Sequence, residues 1–354
     1  MNCIFLYSWY ESNHRILPWR ETTDPYCIWV SEIILQQTRV NQGIDYYLRF
    51  ISRFPDVRSL AEATEDEVLL YWQGLGYYSR ARNLHKAAQQ IVSTSGCPFR
   101  GKPTEGATIY NFLLSLPGVG EYTAGAIASF AYNLPYPAMD GNVYRVVARL
   151  MDCDIAFDTT AGKKHFRALI EQLLDRDNPR LFNSAMMELG ALVCTPQSPD
   201  CEGCPLRDSC LALAHGTVSL LPVRKPRPSL RDRWFIYTMY IDGAGRTLIH
   251  QRQDKDIWQH LWEFPLQEVE QPSEAERDAF PLLHVLSHQR LHARVEIKKV
   301  SVLPSLPDTK VVACSELGDY AFPRLLERML EVTNCIRPSL SFYGASTEHR
   351  IGDV

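Results

Sequence analysis

One stretch of the sequence places a tight glycine turn and a carboxylate about one helix length apart. It runs from Leu116 to Arg145 and reads LPGVGEYTAGAIASFAYNLPYPAMDGNVYR. Gly118 and Gly120 allow the backbone to approach a ligand closely, and the helix predicted after them points its first amide N–H groups outward. A phosphate is the natural ligand for such a turn. Asp140, just ahead of the next predicted helix, then lies within reach of whatever carries that phosphate.

Each part of this stretch also has an ordinary structural explanation. Gly and Pro residues commonly form the loop between two helices, and an aspartate before a helix most often caps it. The combination of the two at this spacing is far more specific than either part. We therefore interpret Leu116–Arg145 as a phosphate-binding turn with an acid in reach.

A second group with chemical potential consists of four cysteines close together in the sequence. Cys194, Cys201, Cys204 and Cys210 have the spacing C-x6-C-x2-C-x5-C. Four thiolates so close together suit one metal centre, and their clustering favours a metal site in a reducing compartment over disulfides. Thiolate ligands by themselves leave both zinc and iron–sulfur open, although zinc ribbons usually show two C-x2-C pairs and this segment has one.

These features together resemble a known superfamily. Leu116–Arg145 resembles the helix–hairpin–helix and catalytic aspartate of the DNA glycosylases that include endonuclease III and the MutY-type adenine glycosylases. The cysteine spacing is similar to that of their 4Fe-4S loop, and residues 31–40, SEIILQQTRV, resemble the MutY segment almost residue for residue. The resemblance covers about residues 3–330. It implies an adenine glycosylase with a 4Fe-4S cluster, acting on double-stranded DNA with adenine opposite 8-oxoguanine or guanine.

The resemblance implies a catalytic pair of carboxyl groups. Cleavage of an N-glycosidic bond builds positive charge on the sugar and requires protonation of the departing base. Glu32 would be the general acid/base that protonates adenine and handles the water, and Asp140 would stabilise or transiently bond to the anomeric carbon. Tyr122 and Asn142 match supporting positions. Taken alone, Glu32 would most often lie on a solvated helix face, but the apolar Ile33 beside it favours burial and a raised pKa.

Tyr122 also bears on whether the DNA strand is cut. Bifunctional relatives carry a lysine at this place after the hairpin, and that amine forms a Schiff base with the sugar. Since Tyr122 stands there, we expect base removal with little strand cleavage.

Further site residues follow from the same resemblance, since an enzyme that acts on a base in a duplex must flip it out. They are an adenine pocket of Trp19, Arg20, Leu35 and Glu188; a wedge of Gln37 and Tyr77; phosphate contacts at Gly118, Val119 and Gly120, with a monovalent cation at the hairpin; and Ser287 and His288 for 8-oxoguanine. Two positions depart from the family pattern. Ser184 replaces a longer polar side chain beside the adenine, and Leu286 replaces a phenylalanine before Ser287.

The order of patterned segments predicts two domains. We expect a mainly α-helical glycosylase domain over 1–220, with the hairpin motif at about 109–133 and the iron–sulfur loop at 194–210. A basic, Pro-rich linker over 221–233, a Nudix-like α+β domain over 234–336 and a tail over 337–354 follow. Strands are predicted at Phe235–Ile241, Thr247–Gln251, His292–Ile297 and Val300–Leu303, and a closing helix at Pro323–Val332.

The second domain resembles a Nudix fold through Leu261–Pro265, which is similar to the GLWEFPGG element. The two glycines after Pro265 are missing, and the segment from Glu268 to Phe280 lacks the acidic Mg²⁺-binding box of Nudix hydrolases. We therefore expect a recognition domain without hydrolase activity.

Composition limits the partners and the compartment. The net charge of −4 weighs mildly against a nucleic-acid binder, so a DNA-binding role requires a local basic face. We expect that face to include the linker basics and Arg39, Arg80, Arg82, Arg145 and Arg149. The chain shows neither a long apolar run nor a basic leader, so we expect neither a membrane span nor a secretory signal. We also expect a monomer in the cytoplasm of a bacterium, associated with the nucleoid.

Two alternatives remain at this point. One is a related glycosylase for thymine or oxidised pyrimidines. The other is a non-enzymatic DNA-binding or redox-sensing protein built around the cluster.

Overall fold

The computed structural model describes residues 3–94, 99, 106–226 and 229–332, and these fall into two compact units. Unit 1 comprises Met1–Ala63 and Arg80–Arg227, and unit 2 comprises Thr64–Ser79 and Pro228–Val354. The sequence placed residues 64–79 in the helical domain, whereas the structure groups them with the C-terminal part of the chain. The predicted tail over 337–354 lies outside the described residues.

Most of the described residues before the linker are helical. The helices are α1 Cys3–Asn13, α2 Pro25–Leu35, α3 Val40–Arg53, α4 Val57–Glu62, α5 Glu65–Trp72, α6 Ser79–Ser93, α7 Gly106–Leu114, α8 Glu121–Tyr132, α9 Gly141–Leu150, α10 Thr160–Leu173, α11 Pro179–Leu192 and α12 Leu211–His215. Several begin where side chains satisfy the first free amides. Asp24, Thr64, Asp140 and Thr159 each accept a hydrogen bond from a backbone N–H of the first turn.

The core of unit 1 fixes the relative position of the helices that carry the candidate site. Helix α2 packs against α8, and α9 packs against α11. Val147, Phe166 and Phe182 are fully buried in a cluster against which Cys194, Cys204 and Cys210 also pack. Helices α9 and α11 approach closely at Gly190, where an added Cβ would lie 2.6 Å from Asn142 Cβ. The start of α9 is thereby held against the helix that leads into the cysteine loop.

Unit 2 contains two sheets and a closing helix. Its strands are β1 Arg231–Ile241, β2 Arg246–Gln251, β3 Trp262–Glu263, β4 Leu266–Val269, β5 Leu282–Val285, β6 Gln289–Lys299 and β7 Thr309–Ala313, followed by helix α13 Arg324–Val332. One sheet has the order β4-β1-β6-β5 and the other β3-β2-β7. Strands β1 and β6 are parallel, and the other pairs are antiparallel.

Most of the predicted strands fall inside observed ones, with two differences. Val300–Leu303 was predicted as a strand and is not one, because β6 ends at Lys299 and Val302 is 77% exposed, so its apolar run is not buried in a sheet. Strand β1 begins at Arg231, inside the predicted linker, while Leu221 is buried in the core of unit 1. Within the described part of the chain, helices of the length and hydropathy needed to cross a membrane are absent.

Candidate active site

A cleft of about 1300 Å³ opens in unit 1. Predicted site residues that line it are Trp19, Arg20, Glu32, Leu35, Gln37, Gly120, Tyr122, Asp140, Asn142 and Glu188. Ser184, the departure noted in the sequence, also lines it. The cleft therefore brings the predicted acid pair and the predicted adenine pocket to one place.

Glu32 lies on α2 and is only 5% exposed. Burial raises the pKa of its carboxyl group to about 7, and the negative charge of Asp140 adds to the rise. Tyr122, on the facing helix α8, opposes that shift by donating a hydrogen bond from its Oη to Glu32 Oε2 over 2.5 Å. Burial also raises the pKa of Tyr122 well above its usual value, so it remains a neutral donor. Glu32 can therefore hold and release a proton near neutral pH.

Asp140 has a different environment at the N-terminus of α9. Its Oδ1 accepts a hydrogen bond from the Val143 amide over 2.8 Å, and its Oδ2 accepts one from Asn142 Nδ2 over 2.7 Å. Burial raises the pKa of Asp140 overall, and these donors offset part of that rise because they favour the ionised form. The positive end of the helix acts in the same direction. The two carboxyl groups of the cleft are thus suited to different protonation states.

Arg145 links Asn142 to the cysteine loop. Its Nη2 donates to Asn142 Oδ1 and to the Gly190 carbonyl, both over 2.8 Å, and its Nε donates to the Cys194 carbonyl over 2.7 Å. Arg145 was predicted on a DNA-facing surface, and that prediction is wrong, since the residue is 6% exposed. The partner of Asp140 is instead held through a buried guanidinium.

Arg149, one turn later on α9, was also predicted on the DNA-facing surface, and that prediction is wrong too. It is 2% exposed, and its guanidinium donates to the carbonyls of Val218, Leu221, Thr195 and Pro196. Residues four apart share a helix face, and this face of α9 meets loop carbonyls that need donors.

Two other arginines predicted on the DNA-facing surface differ in their exposure. Arg80 is half-buried, and its Nη1 donates to the carbonyls of Ile33 and Ile34, each over 2.9 Å, at the C-terminal end of α2. Arg39 is exposed, as predicted.

A buried ion-pair network lines the cleft where the adenine pocket is predicted. Glu188 is fully buried and accepts hydrogen bonds from Arg15 Nε over 2.7 Å and from Arg20 Nη2 over 2.6 Å. Burial alone would raise its pKa, but the bonds from Arg15 and Arg20 outweigh that and lower it to about 2. Glu188 is therefore a permanent carboxylate that orients two cations. Arg15 is a site residue that the sequence reasoning missed, since only the fold brings it to Glu188.

The two predicted wedge residues share an unusual backbone conformation. Gln37 has φ 59° and Tyr77 has φ 47°, and both side chains are exposed. Non-glycine residues in the left-handed region are strained, and such strain is often found at functional positions. Gln37 belongs to unit 1 and Tyr77 to unit 2.

The glycine turn ahead of α8 has the predicted close approach. Gly118 has φ +77°, and a Cβ added there would lie 2.8 Å from Asn83 Cβ. Val119 is buried and its amide already donates to the Leu116 carbonyl over 3.1 Å, so it is not free to donate to a phosphate as predicted. Gly120 caps α8, and the first amides of that helix remain available to a ligand.

The four predicted metal ligands lie between α11 and the end of the cysteine loop, where they line a small cavity with Arg149. Their thiols are free of disulfides, and Arg149 Nη1 lies 3.4 Å from Cys194 Sγ. Four thiols that line one small cavity are a donor set that can hold an iron–sulfur cluster.

The predicted lesion residues lie at the tip of a hairpin in unit 2. Leu286 N donates to the Gln289 carbonyl over 2.8 Å, which leaves Ser287 and His288 as an exposed two-residue turn between β5 and β6. Leu286, which stands where the family pattern has phenylalanine, packs against the core of the unit. Glu263, in the Nudix-like element, is 1% exposed and paired with Arg252 over 3.0 Å.

Family models match most of the chain. Residues 30–174 match the HhH-GPD superfamily base excision DNA repair proteins, 194–210 match the iron–sulfur binding domain of endonuclease III, and 236–332 match the NUDIX domain. The solved structure of a thermostable thymine-DNA glycosylase shares the fold, with a TM-score of 0.51 and 25% identity over 60% of this chain and 94% of that one. The N-terminal part of the chain therefore contains a domain of the HhH-GPD superfamily.

Relatives narrow the family further. An adenine DNA glycosylase of Buchnera aphidicola subsp. Schizaphis graminum is 35% identical over 73% of this chain and 72% of its own length. The mouse adenine DNA glycosylase is 42% identical over 62% of this chain, and the match spans 44% of the mouse protein. The chain belongs to the adenine DNA glycosylase family. The predicted fold class and the predicted iron–sulfur cluster are both confirmed.

Proposed function

We propose that this protein removes adenine from DNA where adenine lies opposite 8-oxoguanine or guanine, and that it leaves the strand intact. The observation that carries the proposal is the cleft in which Glu32, with a pKa raised to about 7, lies with Asp140 and Tyr122. This is the arrangement that acid-assisted loss of a purine requires.

The chemistry assigned to the two carboxyl groups balances without a further reactant besides water. The bond between the anomeric carbon and the adenine nitrogen breaks, and its electron pair leaves with the base as Glu32 gives its proton to adenine. Asp140, whose ionised form is favoured by the hydrogen bonds from Asn142 and Val143, stabilises or transiently bonds to the electron-poor anomeric carbon. The oxygen of a water molecule then bonds to that carbon, and any bond from Asp140 breaks so that Asp140 leaves as a carboxylate. The proton that the water loses returns to the Glu32 carboxylate. The products are free adenine and an abasic sugar.

Side chains that line the cleft beside the acid pair would recognise the flipped base. Glu188 holds the guanidinium groups of Arg15 and Arg20 in place, and Trp19 packs edge-on to Tyr47 at 5.3 Å between ring centroids. These positioned donors and the flat Trp19 ring suit the edge and face of a purine. Leu35 and Ser184 complete the lining.

The expected lack of strand cleavage follows from Tyr122, which lies just after the hairpin. A lyase needs an amine that attacks the anomeric carbon, and Tyr122 occupies that place with its hydroxyl bonded to Glu32. The lysines that line the cleft, Lys163 and Lys164, are exposed on α10.

Reading of the opposite base is assigned to unit 2. Ser287 and His288 project from an exposed turn and can hydrogen-bond the N7–H and O8 edge of 8-oxoguanine, while Gln37 and Tyr77 would fill the gap left by the flipped base. The Nudix-like unit would act in recognition rather than hydrolysis. A monovalent cation at the hairpin, a monomeric state and work at the nucleoid of a bacterial cytoplasm complete the proposal.

Amide substitutions of the two carboxyl groups test this assignment. Glu32→Gln and Asp140→Asn should each abolish adenine release under single-turnover conditions, while the affinity for a duplex with adenine opposite 8-oxoguanine survives. Glu62→Gln, on an exposed helix face of the same unit, is the matched control and should release adenine at the wild-type rate. Adenine release by either amide variant at near the wild-type rate would overturn the mechanism.

A further inference from the structure

Unit 2 joins two parts of the chain that are far apart in sequence. The segment Thr64–Ser79, here called the wedge segment because it carries Tyr77, packs with the C-terminal strands. Gln251 Nε2 donates to Asp66 Oδ1 over 2.9 Å, and Tyr78 Oη donates to the Phe322 carbonyl over 3.5 Å. His260 Nδ1 forms a hydrogen bond with Glu65 Oε1. The wedge segment is thereby bonded to the unit that carries Ser287 and His288.

Contacts of the wedge segment fix the backbone on both sides of Tyr77. Its apolar face is buried through Val68, Leu69 and Trp72. Trp72 Nε1 donates to the Gly76 carbonyl over 3.1 Å, and Tyr78, 5% exposed, anchors the other side of Tyr77. Tyr77 itself is 45% exposed. The residue therefore projects from a turn whose two sides are both fixed.

The loop that reaches the wedge segment is strained, and a buried network holds it. Trp258 has φ 59° and His260 has φ 65°, left-handed conformations that are strained for non-glycine residues. Arg252 is 6% exposed, and its Nε donates to the Ile257 carbonyl over 2.9 Å. The backbone carbonyl of Arg252 accepts a hydrogen bond from the His260 amide over 2.7 Å. Glu263 fixes Arg252 by an ion pair of 3.0 Å. This network therefore holds His260, the residue that contacts Glu65, in its strained backbone conformation.

We propose that His260 and Gln251 are positioning residues that hold the Tyr77 wedge through Glu65 and Asp66, and so couple reading of the opposite base to extrusion of adenine. The coupling rests on the proposed function. It assigns the loop over 252–261 to positioning of the wedge segment.

The test is a double-mutant cycle on the full-length protein with its cluster. His260→Ala and Glu65→Ala should each slow single-turnover adenine release opposite 8-oxoguanine about fivefold, near the upper end of what a half-exposed pair contributes. The double variant should be no slower than either single variant, because one interaction is lost in all three. Asp254→Ala, an exposed residue of the same loop, is the control and should match the wild type.

A spectroscopic readout separates positioning from chemistry. With 2-aminopurine in place of the target adenine, fluorescence rises when the base leaves the stack, and the variants should show a smaller rise. Additive effects in the double variant, or slow release with a wild-type fluorescence rise, would overturn the proposal. Gln251→Ala and Asp66→Ala form a second cycle with the same expected and contrary results, should the first pair destabilise the unit. If the wild type releases no adenine, the proposed function fails, while the fluorescence cycle still decides whether these residues position the wedge.

Discussion

Replacement of Glu32 by glutamine should make the protein more stable at alkaline pH and inactive at every pH. Burial raises the pKa of Glu32 from 4.5 to about 7 in the folded state. The folded protein therefore holds this proton more tightly than the unfolded chain, and stability falls as the pH rises from 4.5 to 7. Glutamine carries no proton to lose and can still accept the hydrogen bond from Tyr122.

The size of the effect follows from the pKa. One pKa unit corresponds to about 1.4 kcal/mol, so the ionised Glu32 costs the folded state about 3 kcal/mol above pH 7. In a domain of this size about 1 kcal/mol shifts the thermal midpoint by roughly 2–4 °C. The Glu32→Gln variant should therefore unfold roughly 6–12 °C above the wild type at about pH 9 and close to it at about pH 5.

The assay is thermal unfolding followed by far-ultraviolet circular dichroism, with wild type, Glu32→Gln and the surface control Glu62→Gln measured at each pH. Helices dominate that signal, and in the described chain before the linker they are mostly those of unit 1. The control should track the wild type throughout, because Glu62 is 67% exposed. A constant difference between Glu32→Gln and wild type across this pH range would refute the buried, proton-holding carboxyl group.

Four further results should follow. Single-turnover adenine release should fall as the pH rises through about 7, because the protonated form of Glu32 is lost there; a rate that rises across that interval would contradict the acid role. Tyr122→Phe removes a hydrogen bond that lowers the pKa of Glu32, so the alkaline fall should move to higher pH, and a shift to lower pH would contradict this. Cys204→Ser should lose absorbance at about 400 nm, and an unchanged spectrum would remove Cys204 from the cluster ligands. Ser287→Ala combined with His288→Ala should slow release opposite 8-oxoguanine at least fivefold, on the order of a lost pair of hydrogen bonds, with little change opposite guanine; equal losses on both duplexes would argue against lesion reading.

Local signals account for much of what the sequence predicted. Asp140 caps α9 and Thr64 caps α5, and both belong to short motifs that act within a few residues. The spacing of the four cysteines likewise lies within one loop. Glu32 could be placed in an apolar stretch because Ile33 and Ile34 follow it directly. Each of these features depends on residues that are close together in the sequence, so it can be predicted from the sequence alone.

The errors concern partners that are distant in sequence. Arg145 and Arg149 carry charges suited to DNA, but the carbonyls that claim them come from residues 45 to 72 positions away. Arg15 meets Glu188 across 173 positions. The wedge segment joins unit 2 through pairs separated by 185 and 195 positions. A charge on a helix gives no sign of which backbone will accept its hydrogen bonds, and only the packed fold decides.

Base release from defined duplexes tests the central claim most directly. Duplexes with one adenine opposite 8-oxoguanine, one adenine opposite guanine or one thymine opposite guanine would be incubated with excess protein and analysed with and without hot alkali. We predict breaks only after alkali, only in the adenine strands, and fastest release opposite 8-oxoguanine. Release of thymine, or breaks without alkali, would contradict the assignment of this chain as an adenine glycosylase that leaves the strand intact.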